Sequence, residues 1–152
     1  MDRNEIFVHP SASVHPRAQL DSGVWVGPNC VIGEKVTISR NTRLEAGVVV
    51  TGQTEINEDC RISPFAAIGT EPQDTSYKDE ETLTKIGKRN LIREYVTIHR
   101  GTVKGGGTTT VGDDNYLMAY SHIAHDCHVG NSTVITNAGS LGGHVLVEDH
   151  AY

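Results

Sequence analysis

Residues 119–130 read AYSHIAHDCHVG and set His122, His125 and His128 three residues apart, in a chain with only eight histidines. Asp126 follows His125 directly, and His144 and His150 come shortly after. Such a group suits three kinds of chemistry. Its imidazoles can ligate a metal, serve as a general base near neutral pH, or simply solvate exposed turns. Sequence spacing becomes proximity only through the backbone, so the elements that carry these residues decide among the three.

The aliphatic residues reveal those elements. Val8, Val14, Leu20, Val26, Ile32, Ile38, Leu44, Val50, Ile56, Ile62 and Ile68 fill eleven consecutive sixth positions. The ladder resumes at Ile86, Ile92 and Ile98 and again from Val111 through Leu117, Ile123, Val129, Ile135 and Leu141 to Val147, giving 21 rungs. Six residues turn a helix by about 240°, which defines no buried face. In an extended strand six is a multiple of two, so every rung points the same way. The residue two before each rung then points inward too, and it is usually small: Ala12, Ala18, Cys30, Thr42, Cys60, Ala66, Ser121 and Cys127 among them. The pattern predicts short strands joined by tight turns. Cys30, Cys60 and Cys127 all fall in the small inward slot and read as compact apolar filler.

Composition narrows the partners. The 152 residues suit one domain, and a net charge of −6 argues against a nucleic-acid backbone as ligand. The segment MDRNEIFVHP offers no apolar leader, no later segment reads as a membrane span, and three scattered cysteines make a poor disulfide framework. A cytoplasmic protein is the simplest expectation.

Two segments break the ladder, giving loops near 70–85 and 99–110. In the first, TEPQDTSYKDEETLTK, Asp74 and Glu80 stand where rungs would, yet Ile86 lies eighteen residues after Ile68. The second, HRGTVKGGGTTT, has at least one extra residue. Its Gly105–Gly107 run reads as a flexible loop, because no Lys-Ser/Thr follows to complete a phosphate loop.

The hexad pattern resembles the hexapeptide-repeat proteins. That resemblance implies an all-β, left-handed parallel β-helix, with three hexads to each triangular coil of eighteen residues and hence about seven coils. On such a coil His125 stacks beneath Gly143, and Asp126 beneath His144. An imidazole base, a carboxylate to hold its tautomer and a glycine N–H open to close approach form a constellation for acyl transfer to an alcohol or amine.

The motifs IAHDCHVGN, REYVTIHRGT, TEPQD and GGHVLVEDHA narrow the resemblance. Together they are similar to the UDP-N-acetylglucosamine acyltransferases that open lipid A biosynthesis. That family implies a homotrimer with sites between neighbouring β-helices. It also implies transfer of a 3-hydroxyacyl group from acyl carrier protein to the glucosamine 3-position of a UDP-sugar, with no cofactor. By position, His125 matches the general base, Asp126 its orienting carboxylate and Gly143 the oxyanion donor. His99, His122 and His144 match polar residues lining the cleft, and Gln73 and Asp74 match contacts to the sugar nucleotide. His128 and His150 read as surface residues.

Other readings stand beside this one. The gamma-class carbonic anhydrases share the hexapeptide fold and bind zinc, but they pair two histidines separated by four residues, a spacing absent here. A non-catalytic β-helical scaffold would carry the same histidines as solvated turns. Two departures from the acyltransferase pattern are visible. Ser76 stands where the family has a lysine, so either Lys78 substitutes or one contact is missing. The family also continues past the position of Tyr152 with further coils and a helical C-terminal domain, absent here. The expectation is therefore the front part of such an enzyme, with weak or no turnover and an open end prone to association.

Overall fold

The computed structural model describes residues 4–152. They form 21 short strands, arranged as three parallel sheets of seven. Each successive strand joins the next sheet, so three strands close one triangular coil. The first face begins with Phe7–Val8, the second with Ser13–Val14 and the third with Gln19–Leu20. All the aliphatic rungs lie in these strands. No helix among the described residues is long and apolar enough to cross a membrane.

Pairing fixes the register. Trp25 pairs with Arg43 and Val26 with Leu44, eighteen residues on, and the same offset recurs between His122 and Ser140. Because the offset is constant, like residues form columns. The rungs from Val26 to Ile123 are buried to 2 % exposure or less. The slot two residues earlier builds a second buried column, and it holds polar residues as well as small ones. On the first face that column runs Thr42, Cys60, Asn90, Asn115, Thr133. Its amides are satisfied coil to coil: Asn115 donates to Gly130 O at 2.9 Å, while its Oδ1 accepts from Thr133 N at 2.8 Å and Thr133 Oγ1 at 2.7 Å. Paired this way, buried polar groups avoid the cost of going unbonded. The three cysteines are buried free thiols in the same slot, as the ladder requires.

The turns follow from chirality. The third residue after most rungs has a left-handed backbone, for example Asn29, Asn41, Asp59, Asp114 and Asp126, with φ from 57° to 60°. Asn and Asp tolerate that region best among residues with a side chain. Phe65, Tyr95 and Tyr120 occupy it too, at φ of 63°, 58° and 64°. Their rings stack one coil apart with centroids 5.4 and 5.1 Å apart, which offsets part of the strain.

Both interruptions emerge at one corner, between the second and third faces. The first leaves after Ala67–Thr70 and returns at Leu83–Ile86; the second leaves after Thr97–His99 and returns at Thr108–Val111. Ile86 is therefore not stacked on Ile68, as a spacing of eighteen would suggest. Ile68 pairs with Ile98, and Ile86 begins the next face. The second insertion adds seven residues beyond a hexad, and its glycine run is folded rather than slack. Val103–Gly105 form a 3-10 turn, capped by the Thr102 hydroxyl and closed by Gly106 at φ 95°.

Candidate functional site

The corner that releases both loops also carries His125 and Asp126 in the next coil, between His122–Ile123 and His128–Val129. Gly143 and His144 hold the same corner one coil further on, between Ser140–Leu141 and Leu146–Val147. The site is thus one column of four stacked corners. The first two supply the loops and the last two supply His125 and His144.

Asp126 is its anchor. The residue is 2 % exposed and its carboxylate is fully engaged. Oδ1 accepts the Thr102 N–H at 2.7 Å, while Oδ2 accepts the Thr102 hydroxyl at 2.6 Å and meets His125 Nδ1 at 2.8 Å. Burial pushes the Asp126 carboxyl up, but the Thr102 and His125 hydrogen bonds outweigh it and hold the group below the usual range. An ionised carboxylate only accepts, so the proton in the His125 contact sits on Nδ1, and in the neutral ring Nε2 is the bare nitrogen. The Asp126 amide is satisfied separately, donating to Thr109 Oγ1 at 2.8 Å.

Gly143 lies directly over the imidazole. A Cβ on it would stand 2.6 Å from His125 Cε1 and 2.8 Å from Nε2. Only glycine permits this approach, and among the described residues nothing accepts the Gly143 N–H. His144 is exposed; its ring meets His125 edge-on at 5.2 Å, and its Nδ1 is 3.9 Å from Asp126 Oδ2. His125, Asp126 and His144 offer ligand atoms within 4.8 Å of one another, a cluster able to hold a metal. Both Asp126 oxygens already accept hydrogen bonds, however, and His125 turns its protonated nitrogen inward.

His122 and His99 lie beside this pair on the second face. His122 Nδ1 contacts Thr97 Oγ1 at 2.7 Å, and its ring meets His99 edge-on at 4.8 Å. Burial, with His125 nearby, pushes His122 down. His99 is only 6 % exposed and its Nδ1 has no partner. Burial, reinforced by His122, His125 and Arg100, takes its imidazole down to about 4. Unfolded, the same ring titrates near 6.5. Between those values the unfolded chain binds a proton that the folded chain refuses, so stability falls as pH drops from about 6.5 to 4. The loss amounts to about 3 kcal/mol. Urea midpoints measured across this window should show that slope, and His99→Gln should flatten it.

The loop residues are placed less tightly. Gln73 is exposed and bonds to none of the corner's groups. Asp74 Oδ1 accepts from Ser76 N at 2.8 Å and from Ser76 Oγ at 2.7 Å, and these bonds hold its carboxyl below the usual range. Lys78 does not fill the place opposite Ser76. The ammonium there is that of Lys104, from the second loop; it bonds the Ser76 hydroxyl and lies 3.9 Å from Asp74. His128 and His150 are exposed, and His128 bonds Thr110 on the third face.

Sequence reasoning missed Thr102 and Gly105. Gly105 packs so close to Asp126 that a Cβ would fall 2.0 Å from its Cγ. The missed signal is countable: Ile68, Ile98, Ile123 and Leu141 are the eleventh, fourteenth, seventeenth and twentieth rungs. All four therefore precede the same corner.

Three parallel faces, hexad columns and a corner dyad define a left-handed β-helix of the hexapeptide-repeat class. No protein-family model matches the chain. Over 145 residues it is 52 % identical to an acyl-[acyl-carrier-protein]–UDP-N-acetylglucosamine O-acyltransferase of Thermodesulfovibrio yellowstonii, a match covering 95 % of this chain and 56 % of that protein. The crystal structure of the Francisella novicida UDP-N-acetylglucosamine acyltransferase superimposes with a TM-score of 0.92 at 40 % identity, covering 94 % of this chain and 52 % of that one. The Campylobacter jejuni UDP-N-acetylglucosamine acyltransferase gives 0.88 at 38 % identity, over 93 % and 54 %. The chain is a homologue of the UDP-N-acetylglucosamine acyltransferases along nearly all of its residues, and it spans about half the length of these relatives.

Proposed function

We propose that this chain carries the acyl-transfer site of a cytoplasmic UDP-N-acetylglucosamine O-acyltransferase, in the opening step of lipid A biosynthesis. It works as one β-helical domain. His125 Nε2 takes the proton from the sugar 3-hydroxyl as that oxygen attacks the thioester carbonyl of a 3-hydroxyacyl acyl carrier protein. The Gly143 N–H receives the developing oxyanion. Collapse of the tetrahedral intermediate expels the carrier's thiolate, which takes the proton back from the imidazolium. Asp126 keeps the other ring nitrogen protonated throughout. His99, His122 and His144 line the approach, and Asp74 with Gln73 meets the sugar nucleotide. The observation that carries this reading is the His125 ring, bonded through Nδ1 to Asp126, with its Nε2 beneath Gly143, whose N–H is unbonded.

The site opens outward at a corner, with Gly143 and His144 exposed beside the His125 ring. A substrate at His125 therefore needs a second wall. A homotrimer with its clefts between neighbouring β-helices supplies one, and a trimer mass in solution is expected.

The direct test is incubation of the chain with 3-hydroxyacyl carrier protein and UDP-N-acetylglucosamine. Mass spectrometry should find the 3-O-acylated nucleotide, formed slowly in line with the weak turnover expected from the sequence. Finding no product from this acceptor or from its 3-amino counterpart counts against the proposal. Gly143→Ala is the finer probe, because the new methyl displaces the ring from its seat. Transfer should fall by about tenfold to a hundredfold, the scale of loss when a catalytic group is misplaced by about an ångström. The melting temperature should hardly move, since Gly143 lies on an exposed corner.

A further inference from the structure

The Asp126 carboxylate is held from outside its own coil. Two of its three hydrogen bonds come from Thr102, 24 residues earlier, in the second insertion. Thr102 is 3 % exposed, and its hydroxyl has one proton to give. That proton goes to Asp126 Oδ2 at 2.6 Å, because the Gly105 N–H already donates to the same oxygen at 3.2 Å. The 3-10 turn therefore locks the direction of the hydroxyl. Gly105, at the end of the turn, lies against the carboxylate and closes the remaining space. Oδ2 is also the atom that meets His125 Nδ1. The orientation of the imidazole thus depends on a residue that does not touch it.

We propose that Thr102 is a positioning residue: its amide and hydroxyl fix the Asp126 carboxylate so that Oδ2 keeps the His125 proton on Nδ1 and leaves Nε2 as the basic atom. Its catalytic meaning rests on His125 acting as the base, as proposed above, but its physical content does not. A carboxylate with both oxygens bonded cannot swing away from the ring. With the hydroxyl gone, one amide donor remains on Oδ1, and Oδ2 is free to rotate. The imidazole then samples both tautomers.

The test uses the full chain labelled with ¹⁵N-histidine. In the wild type, the His125 shifts should report a protonated Nδ1 and a bare Nε2. Thr102→Val should mix the tautomers, and Thr102→Ser, which restores the hydroxyl, should recover the wild-type pattern. Thr102→Ala serves if valine is not tolerated. Thr109→Val is the control, since it removes a buried hydroxyl that bonds the Asp126 amide but takes no donor from the carboxylate. It should lower the melting temperature and leave the His125 tautomer alone. In the transfer assay, Thr102→Val should cut kcat about tenfold or more with KM within about twofold. Wild-type shifts in Thr102→Val, or an equal disturbance in Thr109→Val, would overturn the assignment. A wild-type chain that binds and transfers nothing overturns only the proposed function, because the tautomer reading stands apart from turnover.

Discussion

His125→Ala reduces acyl transfer by about 10²–10⁴, the worth of a positioned general base, and leaves the β-helix folded. The expectation rests on how little else the ring supports. Its side chain is 14 % exposed and stands at a corner, outside the column of rungs. Removing it does not strand a buried charge, because Asp126 keeps both Thr102 donors. The loss should therefore appear in kcat, with the urea midpoint close to that of the wild type. Single-turnover rates with saturating nucleotide make the cleanest comparison. Transfer unchanged by this substitution would leave a scaffold with solvated turns as the better description.

Gly69→Ala should give the largest loss of stability. Gly69 sits where the second face breaks register between Ile68 and Thr70 and the first loop departs. Its φ is +78°, and a Cβ would lie 2.0 Å from Thr54 Oγ1 and 2.3 Å from Thr51 O. The left-handed backbone costs about 1–2 kcal/mol for alanine, and forcing a methyl against a backbone carbonyl adds roughly 1–3 kcal/mol. A fall of about 2–5 kcal/mol in urea unfolding is expected. Gly106→Ala separates the two contributions: its φ is +95°, but nothing lies within 4 Å of the added carbon. That variant should lose only the conformational part, about 1–2 kcal/mol.

Much of this architecture was legible because the hexad has a single physical meaning. A period of six returns to the same side only in extended backbone, so Val26, Leu44 and Ile62 had to share one face and stack. The contact between His125 and Gly143 followed from the same offset, once three hexads were taken to close a coil. The left hand was not in the spacing and came by resemblance. Thr102 and Gly105 were hidden for a different reason. They lie in a segment without periodicity, and their partner is 24 residues away across a corner whose loop has no repeat to set its path. Lys104 was hidden in the same way. Its approach to Ser76 is a meeting of two loops, and neither loop's sequence encodes the other's position. The polar column at Asn90 and Asn115 escaped because a small inward slot was expected, whereas a larger side chain fits wherever its amide finds a carbonyl in the next coil.

The two insertions share a corner, and this has a consequence for how readily the molecule can change length. Strands that pair across an uninterrupted coil are eighteen residues apart, whereas Arg61 and Leu91, separated by the first loop, pair at thirty. Closing thirty residues instead of eighteen costs only about 0.5 kcal/mol of chain entropy. A segment bearing new side chains can therefore be spliced in at this edge for less than thermal energy, while the ladder above and below keeps its register.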